Sequence, residues 1–218
     1  MSVICNQRSH PIDVPGVSSL DEAVRWLAAQ SDDVKAVTAV DGLGRVTQHP
    51  SVHTDSFVDP TAVLIGGIVV CRGCYIAPHA IVRLDEKVGF EPCILGEHSN
   101  IQDCAIVHAQ TSRIGRRVIV AHQAIVHGAT VEDDVTLYIQ SVADGDTVLG
   151  RGCFLHQGSY VGKGLRLAPG RYVSPGQRVL TQAEADQLPE VPDELKAIRE
   201  SVLAHNRSHV VSHRALVG

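Results

Sequence analysis

Apolar residues recur every six positions through most of this chain. Val58, Leu64, Val70, Ile76 and Val82 form one run, and Leu95, Ile101 and Val107 a second, after the insertion LDEKVGFEPCI. Ile114, Val120 and Val126 form a third. After one slip of register, Val131, Leu137, Ala143, Leu149, Leu155, Val161 and Leu167 form a fourth. A helix repeats near 3.6 residues and an isolated strand at two, so a sustained step of six belongs to neither alone. It predicts a parallel β-helix, in which three short sides make a coil of about 18 residues and each strand stacks on its counterpart one coil away.

The composition suits such an interior. Aromatic residues are only 4% of the 218 while Val, Ala and Gly abound, which favours tightly stacked strands over a helical bundle packed with large side chains. Four residues past an apolar step, Cys74, Ala80, Ala124 and Cys153 are small, as inward-facing corners require. Cys71-Arg-Gly-Cys74 is therefore read as strand text, lacking the helix N-terminus that activates a thiol in a redox pair. The six cysteines, without an export signal, are expected to be reduced.

Three segments are expected: an α+β extension over 1–48, the β-helix over 49–180, and a helical segment over 181–218 packing on it. In the first, Ser19-x-x-Glu22 caps an amphipathic helix, LDEAVRWLAAQ, and VKAVTAV predicts a strand ending in an Asp41-Gly42 turn. In the last, Thr181-x-x-Glu184 is a second capping box. Asp193 then starts a longer helix with Leu195, Ile198 and Val202 on one face. A net charge of -5 gives no basic footprint for nucleic acid. No apolar run approaches the ~18 residues of a membrane span, and MSVICNQRSH has no signal-peptide layout, so a cytoplasmic protein is expected.

Three histidines, His108, His122 and His127, stand in the stretch NIQDCAIVHAQTSRIGRRVIVAHQAIVHG. A single histidine on a strand carries little meaning, but the coil spacing relates these three. His108 and His127 each follow an apolar step residue directly and lie one coil apart on the same side. His122 follows Val120 by two and points from another corner, beyond the reach of a metal held by the other two. A site using all three therefore needs His122 from a second subunit, which cyclic trimeric packing supplies. Three imidazoles are the ligand set of a catalytic Zn²⁺ that keeps its fourth position for water. His205, His209 and His213, at i, i+4 and i+8, suit a secondary metal site, a proton relay or a plain solvated surface.

From about Thr54 to Leu195 the chain resembles the gamma-class carbonic anhydrases, left-handed β-helix trimers with a metal between subunits. The resemblance rests on Arg83-Leu-Asp85-Glu86, Asn100-Ile-Gln102-Asp103, His108 and Ala121-His122-Gln123-x4-His127-Gly128. It continues through Arg171-Tyr-Val-x-x-Gly and Ala183-Glu-Ala-Asp-x-Leu-Pro-Glu-Val191, close to the archaeal-type branch and the carboxysomal scaffold proteins. It implies a mainly β, left-handed parallel β-helix with His108, His122 and His127 as ligands of Zn²⁺, Fe²⁺ or Co²⁺. It further implies a Gln102 amide beside the metal-activated water, Asn100 in support, and Glu86 as a proton acceptor. Arg83 and Asp85 match an ion pair between subunits.

The implied activity is reversible hydration of CO₂ to bicarbonate by a homotrimer. Two departures bear on it: the connection after His108 is only AQTSR, where the best-known archaeal enzyme has a long acidic loop, and the segment between Glu86 and Cys93 is longer than usual. The alternatives are a metal-dependent hydratase or hydrolase acting on another small molecule and a catalytically silent scaffold or assembly subunit. A hexapeptide-repeat acyltransferase, which generally uses histidine as a base without metal, fits the three spaced histidines less well.

Overall fold

The computed structural model describes residues 34–36, 50–84, 93–108 and 113–217. The chain is a left-handed parallel β-helix, its coils built from strands of two to four residues that stack into three sheets. The first sheet stacks Ser51–His53, Ile68–Val70, Cys93–Leu95, Arg113–Ile114, Thr130–Val131, Val148–Leu149 and Arg166–Leu167 in parallel. Val34–Ala36 adds an antiparallel strand at its edge. The second sheet runs from Phe57–Val58 through Tyr75–Ile76, Asn100–Ile101, Ile119–Val120, Thr136–Leu137 and Phe154–Leu155 to Tyr172–Val173. The third stacks Val63–Gly66, Ile81–Leu84, Ile106–His108, Ile125–His127, Val142–Ala143, Tyr160–Val161 and Arg178–Val179.

The six-residue series is the axial core. Leu95, Ile101, Val107, Val120, Leu137, Leu149 and Leu155 are all fully buried, and Val173 and Val179 extend the series beyond Leu167 by two more sides. Cys74, Ala80, Ala124 and Cys153, the small residues expected at the corners, are fully buried as well. Cys71-Arg-Gly-Cys74, read as strand text, is instead a corner turn between Val70 and Tyr75 with Gly73 at positive φ. Burial pushes the Cys71 thiol up to about 12, which keeps it protonated. The helix LDEAVRWLAAQ, the Asp41-Gly42 turn, Asp85 and Glu86 lie outside the described residues.

Corners close on residues of positive φ, among them Gly73, Gln123, Gly128 and Asp146. Gly128 makes the slip of register possible: it turns the chain, at φ +66°, in the five-residue step from Val126 to Val131, immediately after His127. A Cβ there would meet nothing nearer than 3.7 Å, so only the backbone conformation opposes a side chain. Gly128→Ala should destabilise the chain by about 1–2 kcal/mol, and Gly128→Asn by less, since asparagine tolerates this region. An unchanged denaturation midpoint for the alanine variant would contradict the assignment.

A helix covers the second sheet, whose outward row includes Phe57, Tyr75, Ile119 and Phe154. Two helices follow the last coil: α1 (Gln182–Asp186), opened by the expected Thr181–Glu184 capping box, and α2 (Asp193–Val217). Along α2, Val210 packs with Phe57, Tyr75 and Ala77; Leu203 packs with Ile119 and Ala121; and Leu195 packs with Phe154 and Val191. The buried stripe is therefore Leu195, Leu203, Asn206 and Val210. Ile198, expected on the buried face, is 41% exposed. It lies one turn to the side of the contact line, which follows steps of seven and eight residues along the sheet.

The histidines of α2 follow the same face. His205 is exposed, whereas His209 and His213 are half-buried with their rings against Tyr75. Burial lowers the His209 pKa first, and the neighbouring His205 and His213 lower it further against an opposing pull from Asp103 of the second sheet. The fold thus binds the His209 proton less readily than the unfolded chain, whose histidines titrate near ~6.5. Unfolding takes up a proton, so stability is fully present above that value and falls as pH drops below it. Urea midpoints at pH 7 and pH 5 should show this loss, and His209→Gln should lessen it; equal pH dependence in both proteins would contradict it.

Candidate active site

The third sheet places one row of side chains in register just past the inward residues Val82, Val107, Val126 and Ala143. Arg83 pairs with His108, and His108 with His127, on adjacent parallel strands. The His108 and His127 rings stand 5.3 Å apart, centre to centre. Arg83 Nη2 lies 3.2 Å from His108 Nε2. A guanidinium can only donate, so in this contact His108 Nε2 is the acceptor. His127 Nδ1 lies 3.0 Å from Asp144 Oδ1, one coil further on. Asp144 titrates near 2, held down by the hydrogen bond from His127, then those from Tyr160 and the Gly145 amide.

His122 stands at a different corner, two residues past Val120 of the second sheet, as the coil arithmetic predicted. Its Nδ1 lies 2.9 Å from Asp103 Oδ2. Within one chain the structure thus brings His108 and His127 together and keeps His122 apart. No group of three or more His, Cys, Asp or Glu side chains among the described residues is placed to hold a metal ion. The donor chemistry of His122 and His127 nevertheless fits a zinc-type ion, and His108 would join them with Arg83 turned away from its Nε2. His122 and His127 each have Nδ1 engaged by a carboxylate, the arrangement that directs the Nε2 lone pair outward in metal-binding histidines.

Asn100 and Gln102 are buried beside this corner, and Gln102 Nε2 donates to Asn100 Oδ1 at 3.0 Å. That bond uses one of the two N–H groups and fixes the amide plane, leaving the Gln102 carbonyl oxygen to accept and the second N–H to donate. A cavity of about 820 Å³ separates this part of the second sheet from α2, lined among others by Gln102, Asp103, His122, His205 and Asn206. Asp103 and Asp144 were not assigned roles from the sequence. The available signal was positional, since each lies one coil from the histidine it holds.

Comparison with known proteins places the chain. Over 168 residues it is 32% identical to the carbonic anhydrase of Methanosarcina thermophila, a match covering 66% of each chain. It belongs to the hexapeptide-repeat family that includes the gamma-class carbonic anhydrases. Other members match as well: the carnitine operon protein CaiE of Salmonella agona is 35% identical over 115 residues, covering 51% of this chain and 56% of CaiE. These matches span about two thirds or less of the curated relatives' length.

Among solved structures, the BC4754 gene product of Bacillus cereus, a proposed acetyltransferase, superposes with a TM-score of 0.66 at 20% identity. That superposition covers 77% of this chain and 92% of the other. A hexapeptide transferase family protein from Anaplasma phagocytophilum gives 0.54 at 22% identity over 75% and 92%. Both likenesses concern the fold alone. No protein-family model matches the chain. No helix among the described residues is long and apolar enough to cross a membrane.

Proposed function

We propose that the chain is a carbonic anhydrase that hydrates CO₂ reversibly, with Zn²⁺, or Fe²⁺ or Co²⁺, held between subunits of a homotrimer. His108 and His127 of one subunit and His122 of the next would be the ligands. The observation that carries the reading is the in-register pair His108 and His127, with Asp144 on Nδ1 of the second. A metal held there supplies a water ligand that ionises near neutral pH and so becomes the nucleophile.

The chain's own groups do the rest. Asp144 holds the Nδ1 proton of His127 and orients its opposite nitrogen, and Asp103 places its carboxylate against Nδ1 of His122. Asn100 holds the Gln102 amide in place, from which Oε1 would accept a hydrogen bond at the reacting centre. His205 and His209 line the same cavity region as Gln102 and His122 and would carry the released proton outward, where the short AQTSR connection has no carboxylate. Glu86 and the Arg83–Asp85 pair keep the roles implied by the resemblance, as proton acceptor and intersubunit contact.

A second reading keeps the metal and changes the substrate to another small molecule, or dispenses with turnover as a scaffold subunit. The match to CaiE is as close in identity as that to the carbonic anhydrase and keeps this second reading beside the first. Stopped-flow CO₂ hydration on metal-loaded protein tests the assignment. Turnover well above buffer, abolished by chelation, is expected; bound metal with no hydration would transfer the proposal to the second reading.

A further inference from the structure

Asp144 is held from three directions. Its Oδ1 accepts from the Gly145 amide at 2.7 Å and lies 3.0 Å from His127 Nδ1, while its Oδ2 accepts from the Tyr160 phenol at 2.7 Å. Tyr160 is itself backed by the last coil of the third sheet. Arg178 pairs with it in register and sets its guanidinium carbon 4.2 Å above the centre of the Tyr160 ring. Arg178 and Tyr160 on their strands, Asp144 directly after the strand Val142–Ala143, and His127 on its strand are therefore linked in a chain of contacts that crosses four successive coils of the third sheet.

We propose that Tyr160 is a positioning residue for the His127 imidazole, acting through Asp144. A carboxylate turns readily about its terminal bond and its two oxygens are equivalent. With one oxygen engaged by the phenol and the other by the Gly145 amide, that rotation is stopped, and Oδ1 is presented to the His127 ring. An acceptor fixed at Nδ1 requires the proton of the neutral imidazole to reside there and leaves Nε2 as the lone-pair nitrogen. The Arg178 cation over the ring face draws electron density from the phenol and improves it as a donor. Only the consequence for metal binding rests on the metal-site reading above; the tautomer of His127 does not.

Tyr160→Phe keeps the ring, its packing and the contact with Arg178 and removes only the donor. In the full chain labelled with ¹⁵N-histidine, ring nitrogen spectra should show His127 of the wild type protonated at Nδ1. In Tyr160→Phe they should show a mixture, with the Nε2-protonated form raised roughly several-fold. Co²⁺ affinity, measured by chelator competition, should fall about tenfold, the low end of the range for losing an outer partner of a metal-binding histidine. In an Asp144→Ala background, Tyr160→Phe should change neither quantity further, since its route to His127 is then gone.

An unchanged His127 tautomer in Tyr160→Phe would overturn the positioning role, and so would an equal effect in the Asp144→Ala background. Wild-type protein that takes up no Co²⁺ would overturn the metal reading alone. The tautomer spectra would still decide the role of Tyr160.

Discussion

His108→Ala and His127→Ala should each leave the β-helix folded and strip it of metal and of CO₂ hydration. Both rings lie on the outer face of the third sheet, so neither substitution opens a cavity in the axial core, whose Val107 and Val126 neighbours stay in place. The cost falls on the ligand set. Structural zinc sites bind with roughly 10–16 kcal/mol. Losing one of three ligands therefore costs on the order of 3–4 kcal/mol, or about 10²–10³ in affinity at about 1.4 kcal/mol per decade. Elemental analysis after gel filtration should find well under one metal per subunit in either variant. Undiminished metal in His108→Ala would remove that residue from the site.

The two carboxylates extend the same reasoning. Asp103 and Asp144 were not visible as site residues in the sequence, because deciding which side chains meet across coils requires the length of each coil. That length varies: Asp144 stands 17 residues beyond His127, whereas Arg83 and His108, neighbours in one ladder, are 25 apart around the insertion. The six-residue step survives this variation, since it is local to each side, and so the axial core was legible from Leu64 to Leu167. So was the separation of His122 from the other two, which depended only on its offset of two from Val120.

Of the face expected for α2, Leu195 and Val202 pack on the sheet and Ile198 does not, the contact being completed by Leu203 and Val210. The helix pattern alone offers both lines, and the choice is made by the apolar outer row of Phe57, Tyr75, Ile119 and Phe154 on a distant part of the chain. Tyr160 was hidden for a related reason. As a partly buried residue just before an inward valine it looks like ordinary strand text, and only the stacked neighbour Asp144 gives its hydroxyl a purpose.

The central claim is that His122 completes a site begun by His108 and His127 of another subunit. Chains carrying His108→Ala or His122→Ala should each be inactive alone, since every site in the homotrimer then lacks a ligand. Co-expressed in equal amounts they should assemble into mixed trimers. A site is then intact when its first subunit keeps His108 and the adjoining one keeps His122, so random cyclic assembly restores about a quarter of the sites. Metal content and CO₂ hydration measured on such mixtures, their composition checked by native mass spectrometry, should return to about a quarter of wild type. Mixed trimers that recover neither metal nor activity would contradict the shared site.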